Sequence, residues 1–155
     1  MSDDFMEYAF RALAARALTE HELLTRLAKR GASSDESRRV VDRLKELGYI
    51  DDEAVARGAT TRRGVGKMRV KFDLARRGVD KNVIAEAVSA RGDDEEREEA
   101  ARLVERYRDK WLRAKDPRAK AFGFLARRGF AVSVIYEVIG NLHGSELADV
   151  APDDP

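Results

Sequence analysis

The phrase Leu27-Ala28-Lys29-Arg30-Gly31 returns as Leu74-Ala75-Arg76-Arg77-Gly78 and again as Leu125-Ala126-Arg127-Arg128-Gly129. The glycines, at 31, 78 and 129, stand 47 and 51 residues apart. A recurrence of that length marks repeated supersecondary units. It restricts the chain to folds in which small units stack and bury one another's apolar faces. The register extends beyond the phrase. A leucine (Leu27, Leu74, Leu125) precedes each glycine by four positions, and Val40/Val41, Ala87/Val88 and Val138/Ile139 follow it by nine and ten.

The spacing of apolar residues within each unit is helical. Met6, Phe10, Leu13 and Ala17 predict a first helix over 5–17. Thr19 and Glu22 form a capping-box pattern ahead of Leu23, Leu24 and Leu27, and Gly31 predicts the stop. Ser33, Ser34 and Asp35 offer N-caps to a helix carrying Val40, Val41, Leu44 and Leu47, closed by Gly48. In the second unit, Asp51 or Asp52 caps a helix that Gly64 and Gly66 break. Val70 and Leu74 mark the next, and Asp80 caps a third bearing Val83, Ile84, Ala87 and Val88. In the third unit, Asp93-Asp94-Glu95-Glu96 suits a helix N-terminus through the macrodipole. Asp116-Pro117 starts another helix, and Val134, Ile135, Val138, Ile139 and Leu142 mark the last. The expectation is an all-α, elongated tandem array of three three-helix, helix-turn-helix-like repeats at 5–50, 51–92 and 93–143. A flexible acidic tail is expected at 144–155.

Composition narrows the function. Hydrophobic residues make up 43% and charged residues 38%, which suits Ala/Leu helices with solvated outer faces. A net charge of +1 does not match a histone-like DNA binder. There is no cysteine, so thiolate metal sites, disulfides and a cysteine nucleophile are excluded. No apolar run reaches the ~20 residues that span a bilayer. The acidic Met1-Ser2-Asp3-Asp4 start lacks the order of a signal peptide, so the expected address is the cytoplasm.

The charges are unevenly placed. Between Glu53 and Lys81 there are nine Lys/Arg against three acids. Positions nine and two before each glycine are seven apart and share a helix face. They are Glu22/Lys29, then Arg69/Arg76, then Lys120/Arg127. The second and third units thus repeat a basic pair that the first lacks. The candidate partner-binding face comprises Arg57, Arg62, Arg63, Lys67, Arg69, Arg76, Lys120 and Arg127. Such a stripe suits an acidic protein groove or phosphates held in it. Arg30, Arg77 and Arg128 read as complements to the dipole at helix C-termini.

Other motifs read as structure. Gly64-Val65-Gly66-Lys67 lacks the spacing of a phosphate loop, with Met68 where Ser/Thr would bind magnesium, and reads as a hinge or helix break. Tyr49-Ile50-Asp51-Asp52 reads as a helix stop, an apolar anchor and an N-cap. His21 and His143 lie in no ligand motif, no nucleophile–base pair stands out, and neither cofactor nor metal is expected. Tyr107 and Trp111, four apart, read as core.

Taken together, these motifs resemble the RecX family, bacterial regulators of the RecA recombinase. The first unit carries Thr19-x-x-Glu22-Leu23-x-x-x-Leu27-x-x-x-Gly31, and the junction carries Leu47-Gly48-Tyr49-Ile50-Asp51-Asp52-x-x-x-Ala56. The second unit has Gly66-x-x-Arg69-Val70-x-x-x-Leu74-x-x-x-Gly78-Val79, and the third has Lys120-x-x-x-x-Leu125-x-x-Arg128-Gly129-Phe130-x-x-x-x-Ile135. The resemblance implies a non-enzymatic protein that lies in the groove of the RecA–DNA filament, and a monomer is expected. Such a protein opposes filament assembly, ATPase, strand exchange and co-protease activity. The residues alone also admit a direct helix-turn-helix-like DNA binder, for which the basic stripe permits weak single- or double-stranded contact, or a general α-helical adaptor.

Overall fold

The structure is a computed structural model that describes residues 2–140 and 142. His143 and the segment expected as a tail, 144–155, lie outside the described residues. Among the described residues there are nine helices and no strand: α1 (Ser2–Ala15), α2 (Glu20–Lys29), α3 (Ser34–Glu46), α4 (Asp52–Thr60), α5 (Lys67–Arg76), α6 (Lys81–Ser89), α7 (Asp93–Leu112), α8 (Pro117–Arg127) and α9 (Val132–Ile139). None is long and apolar enough to cross a membrane.

The helix starts follow local side-chain chemistry. Thr19 and Ser33 cap α2 and α3 with complete capping boxes, closed by Glu22 and Glu36. Their hydroxyls accept amide protons that the first turn leaves without partners, and the glutamates return the bond. Asp116 caps α8, with Pro117 at the first position, where a missing N–H costs nothing. The Asp51 carboxylate accepts the Ala54 amide at 3.0 Å and so caps α4. Asp80 accepts the Asn82 amide at 2.8 Å at the start of α6.

The chain forms two compact units. Unit 1 comprises the residues up to Thr60 together with Phe72–Val88, and unit 2 comprises Thr61–Lys71 together with the residues from Ser89 onward. The boundary runs through α5, so compactness divides the chain differently from the recurring phrase. In unit 1, Leu23 and Leu27 of α2 pack with Val40, Val41 and Leu44 of α3 and Ala9 of α1. Ile50 is the apolar anchor of the junction, whereas Tyr49 stays 56% exposed with its ring edge-on to Phe10 at 5.2 Å. In unit 2, Leu103 and Trp111 of α7, Leu125 of α8, and Ile135 and Ile139 of α9 form the core. Tyr107 and Phe124 pack beside Trp111, with ring centroids 4.9 to 5.6 Å apart.

Candidate functional site

The helix that bears the basic pair Arg69/Arg76, α5, is fixed at each end by a separate joint. Its C-terminal end is held within unit 1. The Thr19 hydroxyl, fully buried, donates to the Arg77 carbonyl at 2.6 Å while accepting the Glu22 amide at 3.1 Å. The Glu22 carboxylate accepts the Thr19 amide at 2.9 Å and both Nε and Nη2 of Arg77 at 3.0 Å. A second bond from Arg77 Nη2 reaches the Ala17 carbonyl at 3.0 Å. Gly78 has φ +81°, and a Cβ there would overlap the His21 ring. Burial pulls the Glu22 carboxyl upward, but the Arg77 hydrogen bond and the Thr19 amide outweigh it and leave it below its ordinary value.

The N-terminal end of α5 is held within unit 2. The Gly66 amide donates to the Arg128 carbonyl at 2.7 Å, and the Met68 amide to the Gly129 carbonyl at 3.0 Å. Arg128 Nη1 donates to the Gly64 carbonyl at 3.1 Å, with its guanidinium 4.6 Å from the Phe124 ring centroid. Gly129 has φ +90°, and a Cβ there would overlap the Arg69 backbone. Two carboxylates of α7 hold the preceding loop. Glu99 accepts the Gly64 amide at 2.6 Å and Glu96 accepts the Lys67 amide at 2.9 Å. Glu96 is itself paired with Arg91 at 2.9 Å, both side chains being about 5% exposed, and Arg91 donates to the Val65 carbonyl at 2.9 Å. Segment 64–66 is therefore the helix break of the two readings the sequence offered, and it is clamped on several sides.

These joints also correct two sequence readings. Arg77 and Arg128 do more than complement a helix dipole: each guanidinium makes a specific long-range bond, whereas Arg30 lies 4.3 Å from the Tyr8 ring centroid. Glu96 belongs to the acidic run read as a dipole feature, yet it is buried and holds the α5 N-terminus. Both functions depend on partners 29 to 64 residues away in sequence. A buried-position glutamate that follows an arginine by five residues was the available signal.

The predicted basic residues are distributed over both units. Arg57, at the end of α4, and Arg76 belong to unit 1. Arg62, Arg63, Lys67, Arg69, Lys120 and Arg127 belong to unit 2. All are exposed except Lys67, which is half-buried with its ammonium 3.3 Å from Asp93. Arg69 and Arg76 share the outer arc of α5, and Lys120 and Arg127 are exposed on α8. On α5 no carboxylate is exposed, because Asp73 is half-buried. The guanidinium of Arg76 sits 5.8 Å from the Phe72 ring centroid. Sequence reasoning passed over Phe72 and treated Met68 only as a failed magnesium ligand. They are 57% and 59% exposed.

The acidic residues around the first junction have structural tasks. Asp51 caps its own helix, whereas Asp52 accepts the Glu20 amide of α2 at 2.9 Å. Burial, with the nearby Glu20 charge, raises the Asp52 carboxyl above its ordinary value. Glu20 is held below its ordinary value by the Arg38 hydrogen bond, with Lys45 assisting at 3.2 Å. No cluster among the described residues could hold a metal ion.

Comparisons with known proteins agree with this architecture. Residues 6–44 match the model of the first three-helix domain of RecX, and residues 53–88 match that of the second. A regulatory protein RecX from Deinococcus radiodurans is 44% identical over 149 residues, covering 96% of this chain and 71% of that protein. One from Mycolicibacterium smegmatis is 39% identical over 142 residues, covering 83% of this chain and 74% of its own. The crystal structure of RecX from Lactobacillus salivarius superposes with a TM-score of 0.80 at 20% identity, covering 91% of this chain and 96% of its own. That likeness supports the fold, and the sequence relatives establish the lineage: the chain belongs to the RecX family of regulatory proteins.

Proposed function

We propose that this chain is a non-catalytic, negative regulator of the RecA recombinase. It binds in the groove of the RecA–DNA filament and opposes filament assembly, ATPase, strand exchange and co-protease activity. In this reading it works as a cytoplasmic monomer of three repeats, 5–50, 51–92 and 93–143. The contacting residues are Arg57, Arg62, Arg63, Lys67, Arg69, Arg76, Lys120 and Arg127. Family membership supplies the partner class, and the observation that supports the mode is the exposed basic arc of α5, which presents Arg69, Lys71 and Arg76 without an exposed acid. An outward face of one sign attracts a partner of the other sign and raises the encounter rate. Contacts to several subunits of a filament at once add avidity that no single contact has.

Charge reversal tests the assignment. Arg69→Glu/Arg76→Glu alters exposed side chains and should leave the protein folded, which far-UV circular dichroism and a melting curve check. Affinity for RecA filaments on single-stranded DNA should fall by at least ~10-fold at low salt, and the loss should shrink as salt rises. Undiminished inhibition by the folded double variant would discard these residues as the contact. Tight, steeply salt-dependent binding to naked DNA, exceeding filament affinity, would favour the DNA-binding reading instead.

A further inference from the structure

α5 has an apolar side that the fold does not use. Its core face is already filled by Val70 and Leu74, each 1% exposed. At about 100° per residue, its exposed residues run around the helix in the order Lys71, Ala75, Met68, Phe72, Arg76, Arg69. Met68 and Phe72, four residues apart, form a ridge with Lys71 on one flank and Arg76 and Arg69 on the other. Single exposed apolar side chains are ordinary. Two large ones side by side, opposite a filled core face, are not required for folding.

Internal comparison sharpens the point. Met68 and Phe72 stand ten and six residues before Gly78. The matching positions before Gly31 are His21 and Thr25, and those before Gly129 are Ala119 and Gly123. Helices that end in the same phrase therefore do without a large apolar residue at either position. Among the three helices that end in this phrase the ridge is particular to α5, which also exposes three bases and no acid.

We propose that Met68 and Phe72 are an apolar anchor that inserts into a pocket on a protein partner, with carboxylates on the rim of that pocket answering Arg69, Lys71 and Arg76. Aromatic and arginine side chains at the centre of a patch carry most of the energy of protein interfaces. Stacking on nucleic-acid bases fits less well. Arg76 already lies over the Phe72 ring at 5.8 Å, and methionine offers no π-face. The inference rests on the recombinase reading for the identity of the partner and adds to it an apolar, salt-insensitive component of binding.

The test is the full chain carrying Met68→Gln/Phe72→Thr, which keeps every charge. Binding to RecA filaments on single-stranded DNA is measured at low and high salt, beside the wild type and Arg69→Glu/Arg76→Glu. Circular dichroism and a melting curve check that the variant is folded. If that pair of changes unfolds α5, the single Phe72→Thr takes its place. The expected result is a ~30-fold loss of filament affinity that persists at high salt, where the charge-reversal loss fades. Wild-type affinity in the folded variant would overturn this inference alone, since the wild type would still bind. An equal loss of affinity for a naked single-stranded oligonucleotide would overturn it by assigning the ridge to base stacking. Tighter filament binding by the variant would also overturn it, because the ridge would then be occupied from within the chain. Failure of the wild type to bind filaments at all would overturn the functional reading, and this inference with it.

Discussion

The Arg-Gly phrase stands at both ends of α5, as its own C-terminus in unit 1 and as the C-terminus of α8 in unit 2, and the two joints are held by different means. In unit 1, the Arg77-Gly78 end of α5 meets a complete side-chain cap: the Thr19 hydroxyl and the Glu22 carboxylate take up the carbonyl and the guanidinium. In unit 2, Arg128-Gly129 of α8 meets a glycine loop with no hydroxyl cap. The backbone amides of Gly66 and Met68 bind the carbonyls directly, and the buried Arg91–Glu96 pair with Glu99 holds the loop from behind. A helix C-terminus docked on a helix N-terminus satisfies orphan carbonyls with orphan amides and aligns the two dipoles favourably. The repeated element is the docking of an Arg-Gly helix end on the start of another helix; in unit 1 a side-chain hydroxyl takes the carbonyl, and in unit 2 backbone amides do.

Removing one carboxylate from each joint should separate the two most. Glu96→Ala strands Arg91 in a site about 5% exposed and should cost about 3–5 kcal/mol. Glu22→Ala leaves Arg77 able to reach water, its side chain being 27% exposed, and should cost only about 1 kcal/mol. Urea unfolding followed by circular dichroism measures both. Fluorescence of Trp111, the chain's single tryptophan and a core residue of unit 2, should register the first far more than the second. Equal costs would mean that the buried network does not carry the second joint.

A glycine series sharpens the same contrast. Gly31, Gly78 and Gly129 all have φ between +81° and +95°, so alanine pays a similar backbone cost at each, about 1–2 kcal/mol. They differ in what the new methyl group meets: nothing within 4 Å at Gly31, the movable His21 ring at Gly78, and the Arg69 backbone at Gly129. The expected order of destabilisation is Gly129→Ala above Gly78→Ala above Gly31→Ala, with overpacking adding about 1–3 kcal/mol at Gly129. Thermal melts of the three variants give the ranking, and a flat series would contradict the close approach in both joints.

The smallest expected effect is that of pH on the unit 1 joint. Glu22 and Glu20 lie below the ordinary value of 4.5, so their stabilising contribution is present above that pH and is lost as pH falls through their folded values. Asp52 lies above its ordinary 3.8 and acts in the opposite sense, contributing most below that pH and losing its contribution as pH rises through its folded value. Asp52→Asn should therefore steepen the loss of stability on acidification and slightly raise stability at neutral pH, read from melting temperatures across pH 3 to 7. An unchanged pH profile would remove Asp52 from this balance.

Local chemistry made most of the helices legible in the sequence. Thr19/Glu22, Ser33, Asp51, Asp80 and Asp116-Pro117 act within four residues of themselves, and each caps the helix start it announces. The joints were not legible, because Thr19 binds a carbonyl 58 residues away and Glu99 an amide 35 residues away. Nothing in a helical period reports such pairings. On the candidate site, the phase of the basic pair was readable, and Arg69 and Arg76 do lie on the exposed arc of α5. The Met68–Phe72 ridge escaped notice because attention to Val70 and Leu74 assigns α5 a single apolar face. Its signal was an apolar pair at helical spacing, out of phase with the core pair.

RecA ATPase activity on single-stranded DNA, with this protein titrated in and DNA then supplied in excess, decides whether the filament itself is the target. Inhibition is expected well below one molecule per recombinase monomer, undiminished by the added DNA. Absence of inhibition, or inhibition abolished by the added DNA, would contradict direct regulation of the filament.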